Sequence, residues 1–254
     1  MFTKSLWQRF FADGDSLPSD QLVCPWPVDM HSHLLPGLDD GAVDLAETLT
    51  CLKQLADWGI QQVITTPHVS RDWYPNSTAR ILEALDEVRE LIAEHQLPIT
   101  IEAAAEYLLD DFFLELLNTG DLLSFGAKRY LLVESGWAAP PFQLYGLLFR
   151  IQTKGYKPVL AHPERYKYYH TDREALSQLR QGGCLFQLNW MSLTGRYGTQ
   201  VEKQARFLLE QNWVDFIGSD LHRPHDLKAM ASLLDSKDLA LLEQQHLLNV
   251  SLLP

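Results

Sequence analysis

Short apolar runs alternate with longer amphipathic stretches along most of this chain. The runs Val28–His31, Gln62–Thr65, Ile99–Ala105, Tyr130–Glu134, Pro158–Ala161, Leu185–Leu188 and Asp215–Gly218 read as β-strands. The stretches Leu45–Trp58, Thr78–Glu94, Asp111–Leu117, Phe142–Lys154, Arg173–Gln181, Glu202–Gln211 and Asp226–Leu234 read as helices. In the first helix Leu45, Leu49, Leu52, Leu55 and Ala56 fall on one face. Punctuation marks several borders: Ser77 suits an N-cap, while Gly59, Gly155 and Gly182-Gly183 suit helix stops. Seven βα units in succession demand parallel strands with right-handed crossovers. An open doubly wound sheet or a closed barrel would satisfy that order. Residues 1–27, ending in the stiff Cys24-Pro25-Trp26-Pro27, stand apart as an N-terminal extension. Residues 28–254 are expected to form one domain, a common length for an α/β barrel.

Polar residues at the ends of the runs choose between the two architectures. The densest group is Val28-Asp29-Met30-His31-Ser32-His33, followed by Leu38-Asp39-Asp40-Gly41. Two histidines at i and i+2 of an extended segment point the same way, so both imidazoles can reach one ion. Further candidates stand at His68, Glu106, Glu134, His162, Asp220 and His222, near nearly every strand end. An open sheet gathers ligands mainly at one switch point, whereas a barrel converges the ends of all its strands. A barrel is therefore expected. So many nitrogen and oxygen ligands are costly to bring together without cations. A mixed set without thiolates suits Mn, Fe or Zn better than Ca or Mg. The chain reads as a metallohydrolase.

Composition narrows the field. The formal charge is −12, which argues against a nucleic-acid or acidic-membrane partner. Cys24, Cys51 and Cys184 are odd in number and widely spaced, and none has an arginine six residues later. A disulfide framework and the Cys-x5-Arg loop of thiol phosphatases are thereby excluded. No apolar run approaches the ~20 residues of a membrane span, so a cytoplasmic address is expected without membrane insertion.

The full set, with Thr66-Pro67-His68, Ala105-Glu106, Val133-Glu134, Ala161-His162-Pro163-Glu164-Arg165-Tyr166 and Ser219-Asp220-Leu221-His222, resembles the polymerase-and-histidinol-phosphatase (PHP) superfamily from about residue 28 to about 225. Within it, His31-Ser32-His33 through Asp39-Asp40-Gly41 and Ala161 to Tyr166 are similar to the bacterial PHP-type protein-tyrosine phosphatases of capsule and exopolysaccharide systems. The resemblance implies a distorted (β/α)7 TIM-like barrel holding two or three metal ions, with Mn expected first and Fe or Zn as alternatives. It implies His31, His33, Asp220 and a bridging Glu106 on one ion, Glu106, Glu134 and His162 on a second, and Asp40, His68 and His222 on a third, with Asp40 preferred to Asp39. It also implies hydrolysis of protein phosphotyrosine by a metal-held hydroxide, and a bacterial tyrosine kinase as partner. Arg165, Arg223, Asp40 and His68 are the expected catalytic residues, the arginines as phosphate clamps. For Arg165 an ion pair with Glu164 or Asp172 is the competing role.

Other functions remain open on the residues alone. One is a histidinol-phosphate or other small-molecule phosphomonoesterase on the same barrel. A nuclease and a catalytically silent binding module are the others. The loops Asp72-Trp73-Tyr74-Pro75 and Gly136-Trp137-Ala138-Ala139 follow His68 and Glu134 and suit recognition of a peptide or aryl phosphate. Tyr166, Tyr168 and Tyr169 are read as rim or packing residues, and His95, His170, His225 and His246 as surface residues.

Overall fold

A computed structural model describes residues 22–120 and 122–253. Most of the expected N-terminal extension, residues 1–21, lies outside the described residues. Residues 22–27 pack on the domain: Cys24 and Trp26 are buried, the Cys24 N–H donates to the Trp58 carbonyl, and Trp26 meets Trp190 edge-on at 5.1 Å.

The fold is mixed α/β, built on a curled parallel sheet. Its strands are β1 (Val28–Asp29), β2 (Gln62–Thr65), β3 (His68–Val69), β4 (Thr100–Ala103), β5 (Glu106–Leu108), β6 (Tyr130–Glu134), β7 (Lys157–Ala161), β8 (Leu185–Asn189) and β9 (Phe216–Gly218). They pair as β1-β2-β4 and β3-β5-β6-β7-β8-β9, every named pairing parallel. The helices are α1 (Leu45–Asp57), α2 (Thr78–Glu94), α3 (Asp111–Thr119), α4 (Leu144–Thr153), α5 (Arg173–Gln181), α6 (Thr199–Glu210), α7 (Leu227–Leu234) and α8 (Leu239–Glu243).

Two sequence expectations need correction. The expected strand Ile99–Ala105 shortens to β4, a further strand, β5, follows it after a gap, and the strand before it likewise continues beyond a gap as β3. The register is the same on both sides of the gap, with Thr65 opposite Ala103 and His68 opposite Glu106. Pro67 lies in the gap, and without an N–H it cannot supply its rung of the ladder. The helix α8 went unanticipated. Elsewhere local chemistry sets the borders as expected. Ser77 caps α2 by accepting the Arg80 N–H, and Gly59 and Gly155 take the left-handed backbone that ends α1 and α4.

Strand alternation separates two cores. Leu131, Val133, Leu160 and Ile217 face the helices. Tyr130, Leu132, Val159, Ala161 and Phe216 meet Val28, Met30, Ile64 and Ala104 in a second cluster. Those residues come from strands far apart in the sheet, so this cluster fills the inside of the curl. Glu134 follows Leu132 at the two-residue spacing of a strand face, and Glu106 follows Ala104, so both carboxylates extend the inward columns beyond the apolar fill.

The first and last strands are drawn together by specific bonds. Ser32 bridges Leu221 in parallel, the Asp220 N–H donates to the His31 carbonyl at 2.8 Å, and the His33 N–H donates to Leu221 at 2.9 Å. Buried Asp29 accepts from the backbone and hydroxyl of Ser219 at 2.8 and 2.6 Å. From the C-terminal segment, fully buried Asn249 donates to the carbonyls of Val28 and Ile217 and accepts the Ile217 N–H. Asn249→Ala strands those groups without water, so urea denaturation should show a loss of about 2–4 kcal/mol. A loss below about 0.5 kcal/mol, the scale of an ordinary surface substitution, would show that Asn249 does not hold the strands together.

Candidate metal centre

The candidate ligands gather where the strands end. His31 and His33 follow β1, His68 opens β3, Glu106 opens β5, Glu134 closes β6, His162 follows β7, and Asp220 and His222 follow β9. His162 and Asp220 have φ of 32° and 51°, in the left-handed region that side chains other than glycine rarely occupy. Such backbone costs on the order of 1–3 kcal/mol at each position and collects at functional sites.

Their ligand atoms converge. Among the described residues, four groups have ligand atoms within 4.8 Å of one another: His33, Asp40, His68 and His222; His31, His33 and Asp220; His31, Glu106 and His162; His68, Glu106 and Glu134. Every candidate ligand drawn from the sequence is therefore in the cluster. The grouping differs from the expected partition: His162 sits with His31 and Glu106, Glu134 sits with His68, and His33 also joins Asp40, His68 and His222. Of the adjacent aspartates, Asp40 offers an oxygen to the cluster, 3.5 Å from His222 Nε2 and 3.7 Å from His68 Nε2. Asp39 stands behind His33, accepting from its Nδ1 at 2.7 Å and from the N–H groups of His68 and Gly41. Gly41 permits this turn, because a Cβ there would lie 2.2 Å from the His33 carbonyl oxygen.

The chemistry of the cluster calls for a cation. His31 Nδ1 faces Gln187 Oε1 at 2.8 Å, and His33 Nδ1 faces the Asp39 carboxylate. Both oxygens accept, so both Nδ1 atoms carry the hydrogen and neutral rings present bare Nε2 lone pairs. Those two Nε2 atoms are 3.3 Å apart. They also lie 3.1 and 3.5 Å from Glu106 Oε2, and each is 3.4 Å from Asp220 Oδ1. Four acceptors meeting in a buried space without a donor need a proton or a metal ion. The demand for positive charge shows in the titration. Burial pushes His33 and His68 down, yet Asp39 leaves His33 well above its usual range and Glu106 draws His68 up to about 9. Burial would raise Glu106 and Asp220, but the histidines, His31 foremost, hold both well below the ordinary carboxylate range. His162 Nδ1 is buried without a hydrogen-bond partner. His68 Nδ1 and Glu106 Oε1 face only other candidate ligands, the first Glu134 and Glu106 at 3.2 and 3.3 Å and the second His162 at 3.0 Å. Imidazole nitrogens and carboxylate oxygens converging with unused lone pairs fit Mn, Fe or Zn.

Arg165 pairs with neither Glu164 nor Asp172. Its Nη1 donates to Asp220 Oδ2 at 2.7 Å, and its guanidinium lies between Trp137 and Tyr197 at 4.7 and 4.4 Å from their ring centres. Glu164 turns inward, accepting from the Ser192 hydroxyl and the Asn189 N–H. Arg223 sits at the rim, its Nε 3.4 Å from the Asp40 carbonyl oxygen and its Nη1 3.8 Å from Glu47. Tyr166 and Tyr169 are buried packing residues, as read from the sequence, and His95, His225 and His246 are exposed. His170 is half-buried instead, donating to the Glu164 carbonyl at 2.7 Å.

Several residues of the site were passed over in the sequence: Gln187, Asn189, Tyr197 and the Asp29–Ser219 pair. Gln187 and Asn189 left a usable signal, two amides at alternate positions of the apolar run Leu185-Phe186-Gln187-Leu188-Asn189. Tyr197 left none.

Comparison with known proteins places this geometry. The family described as capsular polysaccharide synthesis, CpsB/CapC, matches residues 27–237. Tyrosine-protein phosphatase YwqE of Bacillus subtilis is 31% identical over 77% of this chain and 77% of its own length. Tyrosine-protein phosphatase CpsB of Streptococcus pneumoniae is 28% identical over 77% of this chain and 82% of its own. A solved structure from work on YwqE and CpsB, described as unique metal-dependent tyrosine phosphatases, superposes with a TM-score of 0.76. It is 29% identical and covers 88% of this chain and 94% of that one.

Adding Mn²⁺ to chelator-treated protein should raise the thermal midpoint, by the equivalent of about 2.7 kcal/mol at a hundredfold excess over Kd. His33→Ala should blunt the rise. A midpoint indifferent to Mn²⁺, Fe²⁺ and Zn²⁺ alike would mean that protons, rather than cations, satisfy the four acceptors.

Proposed function

The chain belongs to the CpsB/CapC family of capsular polysaccharide synthesis, and on that premise we propose that it is a metal-dependent phosphatase acting on protein phosphotyrosine. The observation that carries this reading is the meeting of His31, His33, Glu106 and Asp220 lone pairs, ringed by Asp40, His68, Glu134, His162 and His222, in a chain whose curated relatives are tyrosine-protein phosphatases. These nine side chains would hold two or three ions, with Mn the first choice. Bound cations would supply Lewis acidity toward phosphoryl oxygens and lower the pKa of water at the site.

The cysteines offer no rival nucleophile. Cys24, Cys51 and Cys184 are buried, and desolvation pushes each thiol up, away from the reactive thiolate. The seven-unit barrel is supported by seven strand positions, if β2 with β3 and β4 with β5 each count as one interrupted strand, and by the bonds joining β1 to β9. Residues 28–254 would then be the catalytic domain and residues 1–27 an extension. No helix among the described residues is long and apolar enough to cross a membrane, which is compatible with a cytoplasmic enzyme working on a bacterial tyrosine kinase.

The chain's own residues divide the work by exposure. Asp40 is 55% exposed, with His68 and His222 half-buried beside it, so these are the members that a molecule entering from solvent meets first. Arg165 and Arg223 bring guanidinium charge to the same region, where phosphoryl oxygens carry negative charge. Arg165 is held in place by Asp220 and two aromatic rings. Trp137, 52% exposed, stacks on His162 at 5.7 Å and 11°, and Tyr74 stacks on His68 at 5.5 Å and 14°. Two aromatic plates set against two candidate ligands favour a substrate whose phosphate is borne on a ring.

Mn-loaded protein should release phosphate from a phosphotyrosine peptide much faster than from histidinol phosphate, and His33→Ala should abolish both activities. A strong preference for histidinol phosphate would replace the protein substrate with a small molecule. Trp137→Ala should raise KM for the peptide roughly 3- to 10-fold, the worth of one aromatic contact, while metal binding is unchanged. Equal KM values would remove Trp137 from the substrate site.

A further inference from the structure

Among the strand positions of the curled sheet, β8 contributes no candidate ligand. It carries Gln187 and Asn189, both fully buried, beneath the cluster. Gln187 Oε1 accepts from His31 Nδ1 at 2.8 Å and from the backbone N–H of His162 at 3.2 Å. Gln187 Nε2 donates to Asn189 Oδ1 at 2.9 Å, and Asn189 Nδ2 donates to Asp220 Oδ2 at 2.5 Å.

The direction of this chain of bonds is set at both ends. The His162 backbone N–H can only donate, so the amide atom facing it is oxygen. The ionised Asp220 carboxylate can only accept, so the amide atom facing it is nitrogen. With both amides oriented, His31 Nδ1 must carry a hydrogen, and in the neutral ring His31 Nε2 is then bare toward Glu106 and Asp220. Gly218 on β9 leaves room for the arrangement, since a Cβ there would lie 2.5 Å from His31 Cβ and 2.9 Å from Gln187 Nε2.

We propose that Gln187, seconded by Asn189, is a positioning residue of the metal centre: it selects the metal-binding tautomer of His31 and ties candidate ligands from β1, β7 and β9 to one frame. The proposal rests on the cluster being a metal site. A buried amide that merely filled polar space would affect stability and leave metal affinity alone. Loss of a partner that orients a ligand instead weakens metal binding, typically 10- to 100-fold.

The test compares wild type, Gln187→Met and Gln187→Glu, using Mn²⁺ titration calorimetry on chelator-treated protein and ¹⁵N NMR of the histidine tautomers in the metal-free state. Gln187→Met should bind Mn²⁺ roughly 10- to 100-fold more weakly and lose the single Nδ1–H tautomer of His31. Gln187→Glu keeps the acceptor for His31 and His162 while losing the donor to Asn189, and should restore the single Nδ1–H tautomer of His31. A folded Gln187→Met with wild-type affinity and an unchanged His31 tautomer would overturn the proposal. Should Gln187→Met fail to fold, Asn189→Ser, which removes the bonds to Asp220 and to Gln187 Nε2 but leaves Gln187 Oε1 on His31 and His162, takes its place: weakened Mn²⁺ binding supports the proposal and unchanged binding overturns it. Wild-type protein that takes up no Mn²⁺ would overturn the metal reading and this inference together, whereas equal affinity in wild type and the folded variants would overturn this inference alone.

Discussion

Two fully or almost fully buried carboxylates, Glu106 and Asp220, face the bare nitrogens of His31 and His33 across little more than 3 Å. Little else at this end of the molecule makes sense without that concentration of lone pairs. Burying ionised carboxylates is costly unless opposite charge and hydrogen bonds compensate. The surrounding residues supply what they can: Arg165 and Asn189 bond Asp220, and His162 stands 3.0 Å from Glu106. What they leave uncovered is a space suited to cations.

Bonds between the first and last strands are what bring the pieces together. His31 and His33 lie at the start of the sheet and Asp220 and His222 at its end, so no local structure joins them. The Asp29–Ser219 bonds, the Ser32–Leu221 bridge and Asn249 hold those strands side by side. Glu106 and Glu134 instead arrive by strand alternation, as continuations of inward columns whose earlier members are apolar. The left-handed backbone at His162 and Asp220 turns each chain sharply as its strand ends, and packing of the whole site has to maintain that strain.

The solvent side has a different character. Tyr74 stacks on His68, Trp137 stacks on His162, and Arg165 lies against Trp137 and Tyr197, which gives the site an aromatic and cationic border. Trp73, 77% exposed, extends the apolar character outward along the same loop as Tyr74. A phosphorylated aromatic side chain offered by another protein matches both halves of that border.

The alternation of apolar runs and amphipathic stretches was enough to order the strands and helices, because each responds to its own side-chain spacing and to nearby caps such as Ser77. Residue type and position near strand ends were enough to single out eight candidate ligands, and the family resemblance added Asp40. Pro67 was in plain view, yet its effect was not: a missing N–H matters only when the neighbouring strand is known, and that partner is β4 and β5, far along the chain. The ambiguity between Asp39 and Asp40 was likewise decided by direction, one carboxylate turning back to His33 and the other toward His68 and His222. Arg165 has Glu164 as its immediate chain neighbour but binds Asp220, which only folding brings near. Gln187 shows in the sequence only as an amide in an apolar run, because His31, 156 positions away, supplies its meaning. Local sequence determines which groups are present and which way the backbone runs. Which lone pairs meet, and which hydrogens orient them, depends on contacts between distant strands, and tertiary structure alone decides those.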